Sequence, residues 1–159
     1  LADGRTLLAR LVVGAEGRQS PLREQAGIRV LRHDYGQDGL VGAFAHERPH
    51  GQEALELFLP AGPFAQLPLA EAGAFGASAL PHASAFVWTE RRAAAQRILA
   101  LDDAAFAREL RRRLGDRLGA IEPIGRRWHY PLTAMHAARY VATRLALVGD
   151  AAHTPVRPE

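Results

Sequence analysis

The 159-residue sequence predicts an α/β fold of α+β organisation, with an antiparallel sheet inserted between two incomplete pieces of an α/β domain. Three observations point there. Apolar runs near both ends, Leu11-Val12-Val13 and "LALVG" at 145–149, read as buried strands, the first of a kind that suits a strand covered on both faces, as in parallel sheets. Between them, from Arg29 to about Glu90, short strand-like pieces are separated by Gly and Pro. Helical periodicity follows only after that stretch, and the chain then returns to strand character. The expected boundaries assign residues 1–28 and 140–159 to the α/β pieces and 29–139 to the inserted domain.

Each element has a local reason. Asp3-Gly4 between apolar residues is a hairpin signal, and Leu11–Val13 follows as a strand. Gly14 and Gly17 bracket a tight loop. Ser20 is placed to cap a short helix, "PLREQAG", with Pro21 at its first position and Gly27 closing it. The strand pieces are "LVGAFAHE", "EALELFLP", "FAQLPL" and "SAFVWTE", with "EAGAFGASALPHA" as a mobile loop between the last two. Two helices come next. In the second, Asp102 caps, Asp103 suits the positive end of the dipole, and Phe106, Leu110, Leu114 and Leu118 form a core stripe. "RRWHYPLTAMHA" reads as another strand before the final apolar run.

Composition narrows the function classes. Hydrophobic residues at 48% and charged ones at 23% exclude disordered and collagen-like chains. No apolar run approaches the ~20 residues that span a bilayer. The absence of cysteine excludes disulfides, thiolate metal sites and a cysteine nucleophile. All 20 basic residues are arginine, and against 17 acids they leave a net charge of +3. They are scattered or lie on a helix face, without the interleaved aromatics that stack bases, so nucleic acid is not an expected partner.

Two catalytic patterns are set aside on physical grounds. "HERPH", His46 to His50, matches the zinc-protease letters, but that motif requires a helix, and Pro49 disfavours one; the segment reads as a strand entering a turn, and no metal is expected. "GASAL" around Ser78 lacks the second glycine of a nucleophile elbow. No residue is singled out as an acid-base catalyst.

The two chain ends carry more. "LVVGAEGRQSPLREQAGI" puts Gly14, Glu16 and Gly17 at one strand tip, and "LALVGDAAHT" puts Gly149 and Asp150 at another. In open α/β sheets ligands bind beyond the carboxyl ends of strands. Glycines there allow close backbone approach, and carboxylates accept hydrogen bonds from sugar hydroxyls.

With these motifs the sequence resembles the class A flavin-dependent aromatic hydroxylases of the para-hydroxybenzoate hydroxylase fold. Gly14, Ala15, Glu16, Gly17, Ser20 and Arg23 stand at the positions of the family's "VGADGxxSxxR" string, and Gly149, Asp150 and Ala151 lie in its later "GD" motif. The middle, with "YGQDGLVGAFAHERPH" and "RRWHYPLTAMHAARYVATRLALVGDAAH", is similar to the ubiquinone-biosynthesis branch. The resemblance implies an FAD/NAD(P)-binding domain with an inserted substrate domain. It implies FAD held by Gly14, Glu16, Gly17, Ser20, Arg23, Gly149, Asp150 and Ala151, and NAD(P)H as reductant. It implies a monooxygenase that hydroxylates a phenolic, polyprenylated ubiquinone precursor with molecular oxygen, in an apolar cavity.

Phe58, Phe64, Leu67 and Trp88 are the candidate walls of that cavity, with plain core as the commoner role for such residues. A cytoplasmic location is expected, with peripheral membrane contact and a homodimer or biosynthetic complex left open. The chain departs from the family pattern in three ways. Glu16 replaces Asp, the G-x-G-x-x-G fingerprint does not occur, and "TPVRPE" replaces the family's continuation after the GD motif. The chain therefore reads as an internal fragment. The alternatives are a prenyl reductase or halogenase of the same fold, or a non-catalytic fragment without FAD.

Overall fold

The computed structural model describes residues 6–70, 73 and 76–154. The Asp3-Gly4 hairpin signal and the tail after Thr154 lie outside them. The chain forms two compact units, residues 36–132 and residues 1–35 with 133–159.

In the 1–35/133–159 unit, β1 (Val12–Gly14) is followed by α1 (Pro21–Gln25) and the first residues of β2 (Val30–His46). The chain re-enters through the end of β6 (Ile121–Ala137), then forms β7 (Val141–Ala142), β8 (Leu145–Leu147), a single 3-10 turn at Gly149–Ala151 and β9 (His153–Thr154). A three-stranded sheet has the order β1-β8-β7. Arg144, at φ 57°, sits in the turn joining β7 to β8. Ile28, Ala137, Leu145, Leu147 and Ala152 make the core of this unit, with Leu22 packed against it.

The 36–132 unit carries β3 (Leu55–Leu59), β4 (Gly62–Leu69), β5 (His82–Arg91), α2 (Arg92–Leu99) and α3 (Asp103–Leu114). Its strand order is β3-β4-β5-β2-β6. The β3/β4, β4/β5 and β5/β2 pairs are antiparallel, in a register that puts Leu40, Phe64 and Trp88 on one face. Phe106, Leu110, Leu114 and Leu118 pack with them, together with Phe44, Phe86 and Ala95. Asp102 caps α3 by accepting from Ala105 N at 2.7 Å, and Gly115 at φ 65° ends it. Leu118 thus lies beyond the helix, yet the turn returns it to the same core. The Arg113 guanidinium lies 3.6 Å from the Trp88 ring centroid and bonds Glu109 at 2.9 Å, so the polar end of the stripe is closed by a cation on an aromatic face.

The structure departs from the expectations for β1 and for two of the cavity walls, and meets the one for "HERPH". Leu11, Val12 and Val13, expected to be covered on both faces, are 56%, 41% and 53% exposed, because β1 has β8 as its one ladder partner among the described residues. Of the candidate cavity walls, Phe64 and Trp88 are buried core whereas Phe58 and Leu67 point outward, as alternation along β3 and β4 requires. "HERPH" runs from the end of β2 into a turn with Gly51 and Gln52 at positive φ. In the expected mobile loop, residues 71, 72, 74 and 75 lie outside the described residues, and Ser78 donates to Glu122 Oε2 at 2.6 Å while accepting from Leu80 N.

Candidate functional site

Parallel pairing decides the geometry. Val12, Val13 and Gly14 stand in register with Leu145, Ala146 and Leu147, and Val148 N donates to Gly14 O at 2.9 Å. Because the two strands run the same way, their carboxyl ends finish side by side. The loop 15–20 and the turn Gly149–Ala151 therefore neighbour each other, although more than a hundred residues separate them in sequence.

The first tip is built by capping. Ser20 Oγ accepts from Arg23 N at 3.1 Å, and Glu16 Oε1 accepts from both Ser20 Oγ and Leu22 N at 2.9 Å. Two acceptors thus satisfy the free amides that open α1. Slight burial pushes the Glu16 carboxyl up. Bonds from its own amide, from Leu22 N and from Ser20 Oγ, with the charge of Arg23, outweigh that and hold it below its ordinary value.

Arg23 joins this tip to the other. Its side chain is buried, with Nη1 donating to Ala151 O at 2.9 Å and Nη2 to Arg18 O at 2.7 Å, while Nη1 also lies 4.0 Å from Met135 Sδ. One planar fork thus holds a carbonyl from each tip, which a point-charge ammonium could not match. At the surface, Arg18 Nε lies 3.4 Å from Asp150 Oδ2, an open pair with both side chains about half exposed. Oδ1 of Asp150 has no partner among the described residues.

The glycines divide into two kinds. A Cβ on Gly14 would stand 2.9 Å from Leu147 Cδ2 and 3.0 Å from Glu16 Oε2, so this residue is glycine for packing between the strands. Gly17 at φ 91° and Gly149 at φ 56° are left-handed, and a Cβ on either would meet nothing within 4 Å. Backbone at both tips is therefore open to close approach. An open backbone, a carboxylate oxygen without a partner and the Arg18 guanidinium form a donor and acceptor set that fits a ligand bearing hydroxyls and phosphates, as FAD does.

All eight residues singled out in the sequence, Gly14, Glu16, Gly17, Ser20, Arg23, Gly149, Asp150 and Ala151, lie in these two tips. Within the group, Asp150, Gly17 and Gly149 face open space, whereas Glu16, Ser20, Arg23 and Ala151 bond one another or neighbouring backbone. Sequence reasoning missed Arg18, whose only signal was a charge complementary to Asp150. It also missed a ring cluster beside the second tip: Tyr140 Oη lies 2.8 Å from His136 Nε2, and the Tyr140 and His153 rings stack at 5.7 Å.

A family model described as an FAD binding domain matches residues 2–157. The ubiquinone hydroxylase UbiL of Rhodospirillum rubrum is 50% identical over 153 residues, covering 96% of this chain and 33% of that protein. The 3-demethoxyubiquinol 3-hydroxylase of Escherichia coli is 34% identical, over 97% of this chain and 37% of its own length. The chain thus spans about a third of the length of these curated relatives. Among solved structures, PqsL of Pseudomonas aeruginosa in complex with 2-aminobenzoylacetate superposes with a TM-score of 0.67 at 26% identity, over 95% of this chain and 40% of that one. The flavin-dependent halogenase CmlS, at 17% identity and a TM-score of 0.64 over 90% of this chain and 26% of its own, shares the fold.

Proposed function

The chain belongs to the FAD binding domain family, and from that premise we propose that it is part of an FAD-dependent monooxygenase that uses NAD(P)H and molecular oxygen to hydroxylate a phenolic, polyprenylated ubiquinone precursor. The observation that carries the reading is the convergence of the two strand tips, stapled by Arg23. The Asp150 carboxylate would accept from hydroxyls of FAD, the open backbone at Gly17 and Gly149 would let the cofactor approach, and Arg18 would supply a cation to its phosphates. Gly14, Glu16, Ser20, Arg23 and Ala151 hold the two tips in register.

A bound flavin supplies the electron transfer from nicotinamide and the activation of oxygen. The protein's part is to bind, orient and keep water out, which agrees with the lack of any acid-base pair singled out in the sequence. In the 36–132 unit the exposed Phe58 and Leu67 offer apolar surface for the substrate. Residues 1–35 with 133–159 act as part of the FAD domain, and 36–132 as the substrate domain. No helix among the described residues is long and apolar enough to cross a membrane. A polyprenyl tail favours a cytoplasmic enzyme that touches the membrane peripherally, as a homodimer or within a biosynthetic complex.

The test is Asp150→Ala in the full-length protein, read as FAD bound per chain. Loss of a hydrogen bond to a charged acceptor weakens FAD by about tenfold or more; unchanged affinity refutes the role of Asp150. Hydroxylated phenol formed in step with NAD(P)H oxidation supports oxygen insertion, and NAD(P)H-dependent halogenation of a phenol or reduction of a prenyl chain refutes it.

A further inference from the structure

A small cavity of about 190 Å³ in the 1–35/133–159 unit is lined by Gly27, Ile28, Arg29, Ala138 and Arg139. Ala138 N donates to Arg29 O at 2.8 Å, which holds its two walls together, and Ile28 is buried. Arg29 and Arg139 are both exposed. Neither guanidinium has an ion-pair or hydrogen-bond partner among the described residues.

That contrasts with the other unit, where arginines are answered by acids: Arg113 by Glu109 and Glu90, Arg117 by Glu53, and Arg127 by Asp103. The sequence distributes charge in the same way. Residues 36–132 hold eleven arginines against eleven acids, while residues 1–35 with 133–159 hold nine against six, so the whole excess of +3 belongs to the unit with this cavity.

We propose that the Arg29/Arg139 cavity is a binding site for a phosphate group. Its volume lies below the roughly 300–1,000 Å³ of pockets for drug-sized ligands, so it admits a headgroup rather than a whole cofactor. Arg29 and Arg139 both line it, and guanidinium forks match the geometry of phosphate oxygens and remain charged at any working pH. The same chemistry is presented by a free phosphate monoester and by an anionic lipid headgroup at a membrane surface.

The experiment uses the full-length protein in two arms at one low ionic strength. Glycerol 3-phosphate is titrated calorimetrically, and flotation is measured with vesicles of phosphatidylglycerol in phosphatidylcholine against phosphatidylcholine alone. Binding in the first arm identifies a soluble phosphate, and binding confined to the second identifies a headgroup. In whichever arm binds, Arg29→Gln and Arg139→Gln each weaken it by about tenfold, the loss of one charge-assisted contact. Arg97→Gln and Arg108→Gln, each of which removes one charge from an exposed helix position of the other unit, leave binding within twofold. FAD content and far-ultraviolet circular dichroism verify that each variant folds. Absence of binding in both arms, wild-type binding by the Arg29→Gln and Arg139→Gln variants, or a tenfold loss in the controls overturns the proposal.

Discussion

Replacing Arg23 by methionine is the most direct test of how the site is held together. Methionine keeps most of the buried length of the side chain but leaves Ala151 O and Arg18 O without their donors. Each lost charge-assisted hydrogen bond is worth about 1.5–3 kcal/mol, and part of the sum is returned because a guanidinium no longer has to be desolvated. A net cost of about 2 kcal/mol, concentrated where the two tips meet, is the expected balance. That energy corresponds to a local opening about thirtyfold more frequent. The amides that report it are Val12 N, bonded to Arg144 O, and Val148 N, bonded to Gly14 O. In hydrogen–deuterium exchange of the full-length protein, peptides covering residues 12–23 and 145–152 should exchange about thirtyfold faster while those in α3 keep their rates. Arg23→Lys should fall between, since one ammonium cannot hold both carbonyls. Wild-type exchange in Arg23→Met would refute the staple.

Other perturbations separate packing from ligand contact. Gly149→Ala meets no neighbour in the fold but forces a left-handed residue, so it should cost about 1 kcal/mol of stability by thermal melting and lower FAD affinity by more than that strain alone explains. Gly14→Ala should destabilise the β1/β8 pair by about 1–3 kcal/mol in the same assay, because its methyl group meets Leu147. Ser84→Ala removes the hydroxyl shared by Gln66 Nε2 at 2.8 Å and His46 Nε2 at 3.0 Å, and stranding these buried groups should cost about 2 kcal/mol in denaturant unfolding. Burial, with His50 and His82 nearby, holds the His46 imidazole below its ordinary 6.5 despite its bond to Arg48 O. The unfolded chain therefore takes up the proton first, so the stability due to neutral His46 is intact above pH 6.5 and is lost as pH falls below it. Protection factors across β2 and β5, which correct for the slower intrinsic exchange at lower pH, should fall over that interval. Glu16, whose pKa is lowered, acts at more acid pH: its support of the first tip is present above the ordinary 4.5 and disappears as pH falls through the lowered value. Glu16→Gln should abolish that pH dependence in peptides 12–23.

What was legible in the sequence was local. Ser20 and Asp102 accept from amides three residues ahead, so their caps are visible in a window of four letters. The Phe106, Leu110 and Leu114 stripe needs only helical periodicity, and the mixed α/β fold follows from where periods change. Leu118 continues the spacing after the helix has ended, because burial and not helical phase governs it. The environment of β1 was misread for a related reason: an apolar run reports what a strand can bury, not what covers it. Least legible was the role of Arg23, which the resemblance assigns to the cofactor and the fold buries as a staple between the two tips. Its partners lie 5 and 128 positions away, and no local pattern encodes the longer contact.

The register of β1 with β8 also has a consequence in time. Val12 is synthesised long before Leu145, its partner. At ~5–20 residues per second the ribosome takes roughly 7–27 s to cover that interval. β8 becomes available to β1 only at the end of that interval, after every strand of the 36–132 unit has been made. The sheet of that unit can therefore close before β1 and β8 meet, and slowing translation over residues 138–147 should lengthen the wait.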